Sequence, residues 1–156
     1  MVENRRHISL RQGKVAWEGE TLLDSCKMSI TYKLEVSETK SLGEMGTNRK
    51  WIGRDIEVTI EEYRSTRRTA NIINDFENSG KTPEFSVQGI MDDKDSDYYD
   101  MYQEGETVTV TGCVPKGDLK VLELDMDGDV MKESITLGGK KINFSDEFGK
   151  AKTEKK

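Results

Sequence analysis

Four carboxylates, Asp93, Asp95, Asp97 and Glu104, stand at positions 1, 3, 5 and 12 of a calcium-loop spacing, which would offer hard oxygen ligands to a divalent cation. Position 6 of such a loop needs glycine for its sharp turn. This chain has Tyr98 there, and neither flank carries a helical pattern. The spacing therefore favours an acidic loop held open by self-repulsion, followed by Tyr98, Tyr99, Met101 and Tyr102. A small β-rich binding module with a calcium-dependent loop is the alternative. The stretch Asp125-Met126-Asp127-Gly128-Asp129 has a similar composition, but its glycine falls fourth, so it reads as a hairpin turn.

Covalent catalysis needs a thiol or hydroxyl held beside a base. The one histidine, His7, lies in a basic N-terminal stretch with Arg5 and Arg6. Cys26 falls on the apolar side of an alternating segment, where an inert core thiol is expected. Cys26 and Cys113 lack metal-ligand spacing and are too few for a disulfide scaffold, so they read as free thiols. Neither G-x-x-x-x-G-K-[ST] nor G-x-G-x-x-G occurs. The residues thus predict no catalytic site, no cofactor and no metal.

Composition narrows the class further. The 156 residues are enough for one domain, and 33% apolar against 35% charged leaves material for one core. A net charge of -6 argues against a protein that grips phosphates by counterion release. No stretch approaches the roughly 18 to 20 apolar residues of a bilayer-spanning helix, and no apolar run follows the basic N-terminus. A soluble cytoplasmic product with no membrane partner is expected.

Order must come from patterning. Cys26, Met28, Ile30, Tyr32, Leu34 and Val36 alternate with polar residues, predicting a long two-faced strand. Ile52, Arg54, Ile56, Val58 and Ile60 alternate with Gly53, Asp55, Glu57, Thr59 and Glu61, predicting a second, paired antiparallel with the first. Between them Ser37 to Lys50, with Gly43 and Gly46, is too long for a tight hairpin and predicts an extended loop. Leu42, Met45, Trp51 and Ile52 lie in it or at its base, and either fold back on the domain or meet another subunit. On the opposite face of the strands, Ser29, Thr31, Glu35, Glu57, Thr59 and Glu61, interrupted by Lys33, form either a solvated surface or one that lines something.

Ser65 to Ser79 predicts the one helix, with Thr69, Ile72, Ile73 and Phe76 on a common face and Gly80 closing it. Strand-like runs follow at Phe85–Met91, Thr107–Thr111, Leu119–Asp125 and Val130–Leu137, with Ile142 and Phe144 beyond. Pro115-Lys116-Gly117-Asp118 and Asp127-Gly128 read as turns. The fold class expected is mainly β: an antiparallel barrel or sandwich of about eight strands with one flanking helix. It occupies residues 11–148, between a flexible arm, 1–10, and a polar tail, 149–156.

Several of these segments, taken in order, resemble the tail tube (core tail) proteins of contractile phage tails and phage-derived particles, in the PBSX-like group. Gln12 to Glu20 looks like that family's opening hairpin with its acidic-glycine turn. Lys40 to Gly53 is similar to its glycine-punctuated loop, and Thr82 to Asp93 to its strand ending in paired aspartates. Phe144-Ser145-Asp146-Glu147-Phe148 is similar to its acidic-aromatic close. The segment Asp97 to Tyr102 departs from the pattern.

The resemblance implies a structural role without enzymatic activity. Sixfold rings would stack into a hollow tube, the inner tail tube of a phage or of a phage-tail-like bacteriocin. Leu42, Met45, Trp51 and Ile52 would be inter-ring contacts, Glu35, Glu57, Thr59 and Glu61 would face the lumen, and Ile72, Ile73 and Phe76 would pack the helix on the core or a neighbouring subunit. The implied partners are further copies of the chain, a surrounding sheath, baseplate and tail terminator proteins, and DNA traversing the lumen where the particle is a phage. Assembly would take place in the host bacterial cytoplasm, ahead of incorporation into the virion or particle.

Overall fold

A computed structural model describes residues 4–103 and 105–144. Glu104, the segment 145–148 and the tail 149–156 lie outside the described residues. The elements are β1 (Gly13–Trp17), β2 (Glu20–Thr21), β3 (Ser25–Thr39), β4 (Asn48–Tyr63), α1 (Arg68–Ser79), β5 (Phe85–Met91), α2 (Asp97–Tyr102), β6 (Glu106–Lys116), β7 (Lys132–Gly139) and β8 (Lys141–Phe144).

All pairings are antiparallel, in the order β2-β1-β5-β6-β7-β4-β3, with β8 also on β6. The sheet turns a corner along β6. Its first part pairs β5 and β8, whereas Val114 to Lys116 pair β7. At the corner Gly112 has φ +67, a left-handed conformation that disfavours a side chain. A Cβ there would also strike the side chain of Lys140, the residue joining β7 to β8.

The folded sheet makes a sandwich rather than the closed barrel that was one expectation. Among the described residues the strand order ends at the two-residue β2 on one side and at the free edge of β3 on the other, and these ends do not pair. The layers meet where Gly89 of β5 faces Met28 and Ile30 of β3, with a Cβ at Gly89 falling 2.9 Å from the Met28 sulfur. Ile56, Val58 and Ile60 are wholly buried there with Val87, Val110, Cys113 and Leu137. Each such aliphatic side chain stabilises the fold by about 1.5–3 kcal/mol relative to exposure.

Helix α1 ends at Gly80, whose φ of 70 and N–H to the Phe76 carbonyl close it as the sequence predicts. Its N-terminus is held by charge. Arg68 donates to both carboxylate oxygens of the buried Glu62 at 2.7 Å, and its guanidinium lies 5.4 Å from the Trp17 ring centre. Beside it Arg64 pairs with Glu133 at 2.8 Å.

Several local expectations fail for identifiable reasons. A second helical segment, α2, replaces part of the expected acidic loop, because buried Ser96 accepts from the Tyr99 N–H and donates to the Asp93 carbonyl. Residues 119–125 form no strand: Leu119 and Val121 fall on one alternate side and Leu122 and Leu124 on the other, so neither side is uniformly apolar, and Val121, Leu122 and Leu124 are exposed. Pro115 is within β6 rather than a turn. Cys26 is exposed, because a register shift between Ser25 and Lys27 removes it from the alternation that buries its neighbours.

Candidate assembly interface

Alternation makes β3 and β4 long, and their length carries them past the rest of the sheet. β4 pairs with β7 only from Ile56 to Tyr63, so Asn48 to Asp55 and the matching end of β3 project as a two-stranded arm. Eight residues extend roughly 26 Å at the usual strand rise. The pairing runs to Thr39 and Asn48, which shortens the expected 37–50 loop to residues 40–47. Among the described residues β3 has no partner on its outer side, so its backbone groups form an open edge.

The apolar face of this arm is uncovered. Tyr32, Leu34 and Val36 on β3 are exposed, as are Trp51 at 66% and Ile52 at 57%, while Leu42 and Met45 in the turn are fully open. A second register shift puts Trp51 opposite Val36, leaving Ile52 as the additional residue on β4. Trp51 thereby joins the face of Leu34 and Val36, which simple alternation does not anticipate. Arg54 caps the inner end, 6.0 Å from the Tyr32 ring centre and donating to the Lys140 carbonyl at 2.9 Å.

The opposite face carries paired charge. Glu57 accepts Lys33 at 2.9 Å and Lys116 at 3.1 Å. Its carboxyl is held below the ordinary value first by the Lys33 hydrogen bond and then by that of Lys116; Lys33 is raised in turn by Glu57. Glu35 lies across Gly53, where an added Cβ would come within 2.7 Å of the carboxylate. Thr59 and Glu61 line the same half-exposed face. Of the helix residues, Ile72 is buried in the core, Ile73 is half-buried and Phe76 is exposed.

The aspartates of the calcium-like spacing converge on a cation from the chain itself. Arg6 pairs with Asp95 at 2.9 Å, with Asp97 at 3.4 Å and with Asp100. Its N–H donates to Asp97, the Asp97 N–H donates back to the Arg6 carbonyl, and the Ser9 N–H donates to Asp93. The N-terminal segment is thus pinned to α2. The opposite charges of Arg6 and 93–100 were the one signal in the sequence for this contact. The Arg68–Glu62 pair gave a different signal: alternation carries the side of Ile56, Val58 and Ile60 on to Glu62, but nothing in the spacing names Arg68 as its partner.

A long projecting hairpin, apolar and uncovered on one face and charge-paired on the other, is the layout of a structural assembly module. The chain belongs to the phage tail tube protein family, whose model matches residues 1–146. It is 24% identical over 128 residues to the phage-like element PBSX protein XkdM of Bacillus subtilis strain 168, covering 82% of this chain and 83% of that protein. YqbM of the same organism is 25% identical over the same shares. Among solved structures, the fold is similar to the anti-feeding prophage tube-terminating cap, with TM-score 0.71 at 12% identity over 93% of this chain and 95% of that one. It is also similar to a chain of the PVC extracellular contractile injection system sheath–tube complex in its extended state, with TM-score 0.64 at 14% identity over 88% and 90%. The protein is accordingly a structural tail tube component rather than an enzyme.

Proposed function

We propose that copies of this chain form rings of six that stack into the hollow inner tube of a contractile tail or tail-like particle. The observation that carries this reading is the projecting hairpin: a soluble monomer has no use for roughly 26 Å of unsupported strand with Trp51, Val36 and Leu34 in water. Lateral pairing fits the strand directions. In the layer β6-β7-β4-β3, adjacent strands alternate, so the free edge of β3 runs antiparallel to Val114 to Lys116 of β6, the part of that strand not paired with β5 or β8, and one copy beside the next continues the pattern there. Closure into a ring removes the open edges. The faces with Glu35, Glu57, Thr59 and Glu61 then line the lumen, and Leu42, Met45, Trp51 and Ile52 reach the adjoining ring. A sheath around the tube, a terminator and a baseplate are the partners, in keeping with the sheath–tube, terminator and baseplate assemblies that contain similar folds. A wall without excess positive charge lets DNA slide where the particle carries a genome.

Negative-stain microscopy and sedimentation test the assignment. The wild-type chain is expected to form tubes, whereas Trp51→Glu and Met45→Glu remain folded and do not. Tubes from both variants would remove the hairpin from the interface. For the lumen, Glu57→Lys with Glu61→Lys should still assemble and should retain added DNA in a salt-sensitive manner; unchanged retention would reject that orientation.

A further inference from the structure

The segment joining β6 to β7 is a further exposed apolar surface among the described residues. Val121, Leu122, Leu124, Met126 and Val130 are all exposed, with Met126 at 96%. Residues 117–130 carry Asp118, Glu123, Asp125, Asp127 and Asp129 against the single cation Lys120, which is already paired with Glu123 at 2.9 Å. Among the described residues, the other four aspartates have no ion-pair partner. The hairpin arm has the opposite sign. From Lys33 to Asp55 it holds Lys33, Lys40, Arg49, Lys50 and Arg54 against Glu35, Glu38, Glu44 and Asp55, one positive charge in excess in a chain whose net charge is -6. Arg49 is taken by Glu38, while Lys40 and Lys50 pair with no carboxylate among the described residues.

The two surfaces lie at opposite ends of the longest strand. The arm's turn precedes Asn48, the first residue of β4. The acidic segment adjoins the other end, where the Arg64 N–H donates to the Met131 carbonyl, the Arg64 side chain donates to the Lys120 carbonyl, and Tyr63 pairs with Lys132. Sixteen strand residues separate them by roughly 50 Å, so one copy cannot satisfy both.

We infer that the acidic 118–130 segment is the receptor for the basic hairpin arm of a second copy in the next ring, apolar side chains meeting at the centre and aspartates facing Lys40 and Lys50. The contact is heterologous, with unlike surfaces at opposite ends, and therefore propagates as a stack instead of closing as a dimer. Opposite charge also fixes direction, because arm against arm or loop against loop places like charges together. This inference rests on the tube reading and adds the surface that receives the arm.

Charge reversal tests it on the full-length chain. Asp118 and Asp127 suit this purpose because their carboxylates make no hydrogen bond among those described for the segment. D118K/D127K and, separately, K40E/K50E should keep the wild-type circular dichroism and melting temperature, yet need at least about tenfold more protein to form tubes at about 0.1 M salt. Combining all four substitutions in one chain, or mixing the two variants, should restore tube formation. Assembly of D118K/D127K at the wild-type concentration, or failure of both rescues, overturns the inference and leaves the tube reading intact. Absence of tubes from the wild-type chain at every concentration overturns the tube reading itself. Should a reversal perturb the fold, the neutral pair D118N/D127N replaces it; assembly as salt-dependent as that of the wild type then overturns the inference.

Discussion

Val36 and Trp51 stand directly opposite each other near the end of the β3–β4 arm, and they do so because Ile52 is an extra residue on β4. Residues facing each other across an antiparallel pair share a side of the sheet, so the bulge gathers Trp51, Val36 and Leu34 on one surface. This surface is open in the single copy, which makes its tryptophan a reporter of assembly.

Trp51 is 66% exposed and Trp17 is 8% exposed. The free protein should therefore show a red-shifted emission component that Trp51→Phe removes. Tube formation should move that component to shorter wavelength in the wild type only. An identical shift in the Trp51→Phe chain would mean that the arm stays in water on assembly.

The pairing beneath α1 predicts a stability effect. Removing Arg68 strands the Glu62 carboxylate in a buried position, and Arg68→Ala should cost about 3–5 kcal/mol in urea unfolding. Replacing both residues with apolar ones, Arg68→Met with Glu62→Leu, should recover most of that loss, because no buried charge remains. Equal destabilisation by the single and double changes would show that packing on Trp17 dominates the role of Arg68.

Strands with strict alternation were legible because two-residue periodicity is a property of the chain itself: Ile56, Val58 and Ile60 are buried as their spacing requires. The helix end at Gly80 was legible for a similar local reason. Bulges were not, since the shifts at Cys26 and Ile52 depend on what the partner strand does. The candidate interface was accordingly visible as residue types, Leu42, Met45, Trp51 and Ile52, without the rotation that brings Trp51 onto the face of Val36. Arg6 escaped the reading because its partners lie about ninety positions away, where only the fold brings opposite charges together.

The two thiols should differ sharply in reactivity. Cys26 is exposed, whereas Cys113 is wholly buried and burial pushes its thiol up to about 11. At pH 8 a disulfide reagent should label one cysteine of the folded chain quickly and the second only after unfolding. Loss of the fast phase in Cys26→Ser assigns it; fast labelling that survives this change would place Cys113 within reach of solvent.

Glu57 should contribute a small acid-side dependence. Its folded carboxyl titrates below the ordinary value because Lys33, then Lys116, donate to the charged form. A depressed folded value means that the stabilisation is fully present above the unfolded glutamate range and is lost as pH falls through the folded one. Stability measured from pH 7 downward should thus decline in the acid range with a component that Glu57→Gln eliminates. The side chain is solvent-accessible, so added salt should shrink the same component. An unchanged profile in Glu57→Gln would show that the two lysines do no more than share a surface with it.

The Arg6 contact predicts a local effect without a global one. Three carboxylates surround one guanidinium, so losing it leaves Asp95, Asp97 and Asp100 to repel one another around a single turn of helix. Hydrogen exchange should accelerate across residues 92–103 in Arg6→Ala while the core strands β4 and β6 keep their protection. Arg6→Lys should restore the charge but not the fork that reaches several aspartates, giving intermediate exchange. High salt should reproduce part of the effect in the wild-type chain, because the pairs are exposed. Unaltered exchange in Arg6→Ala would mean that the bonds made by backbone groups of Arg6, Ser9 and Gln12, to the Asp97 and Asp93 carboxylates and the Asp97 and Asp92 N–H groups, hold the segment by themselves.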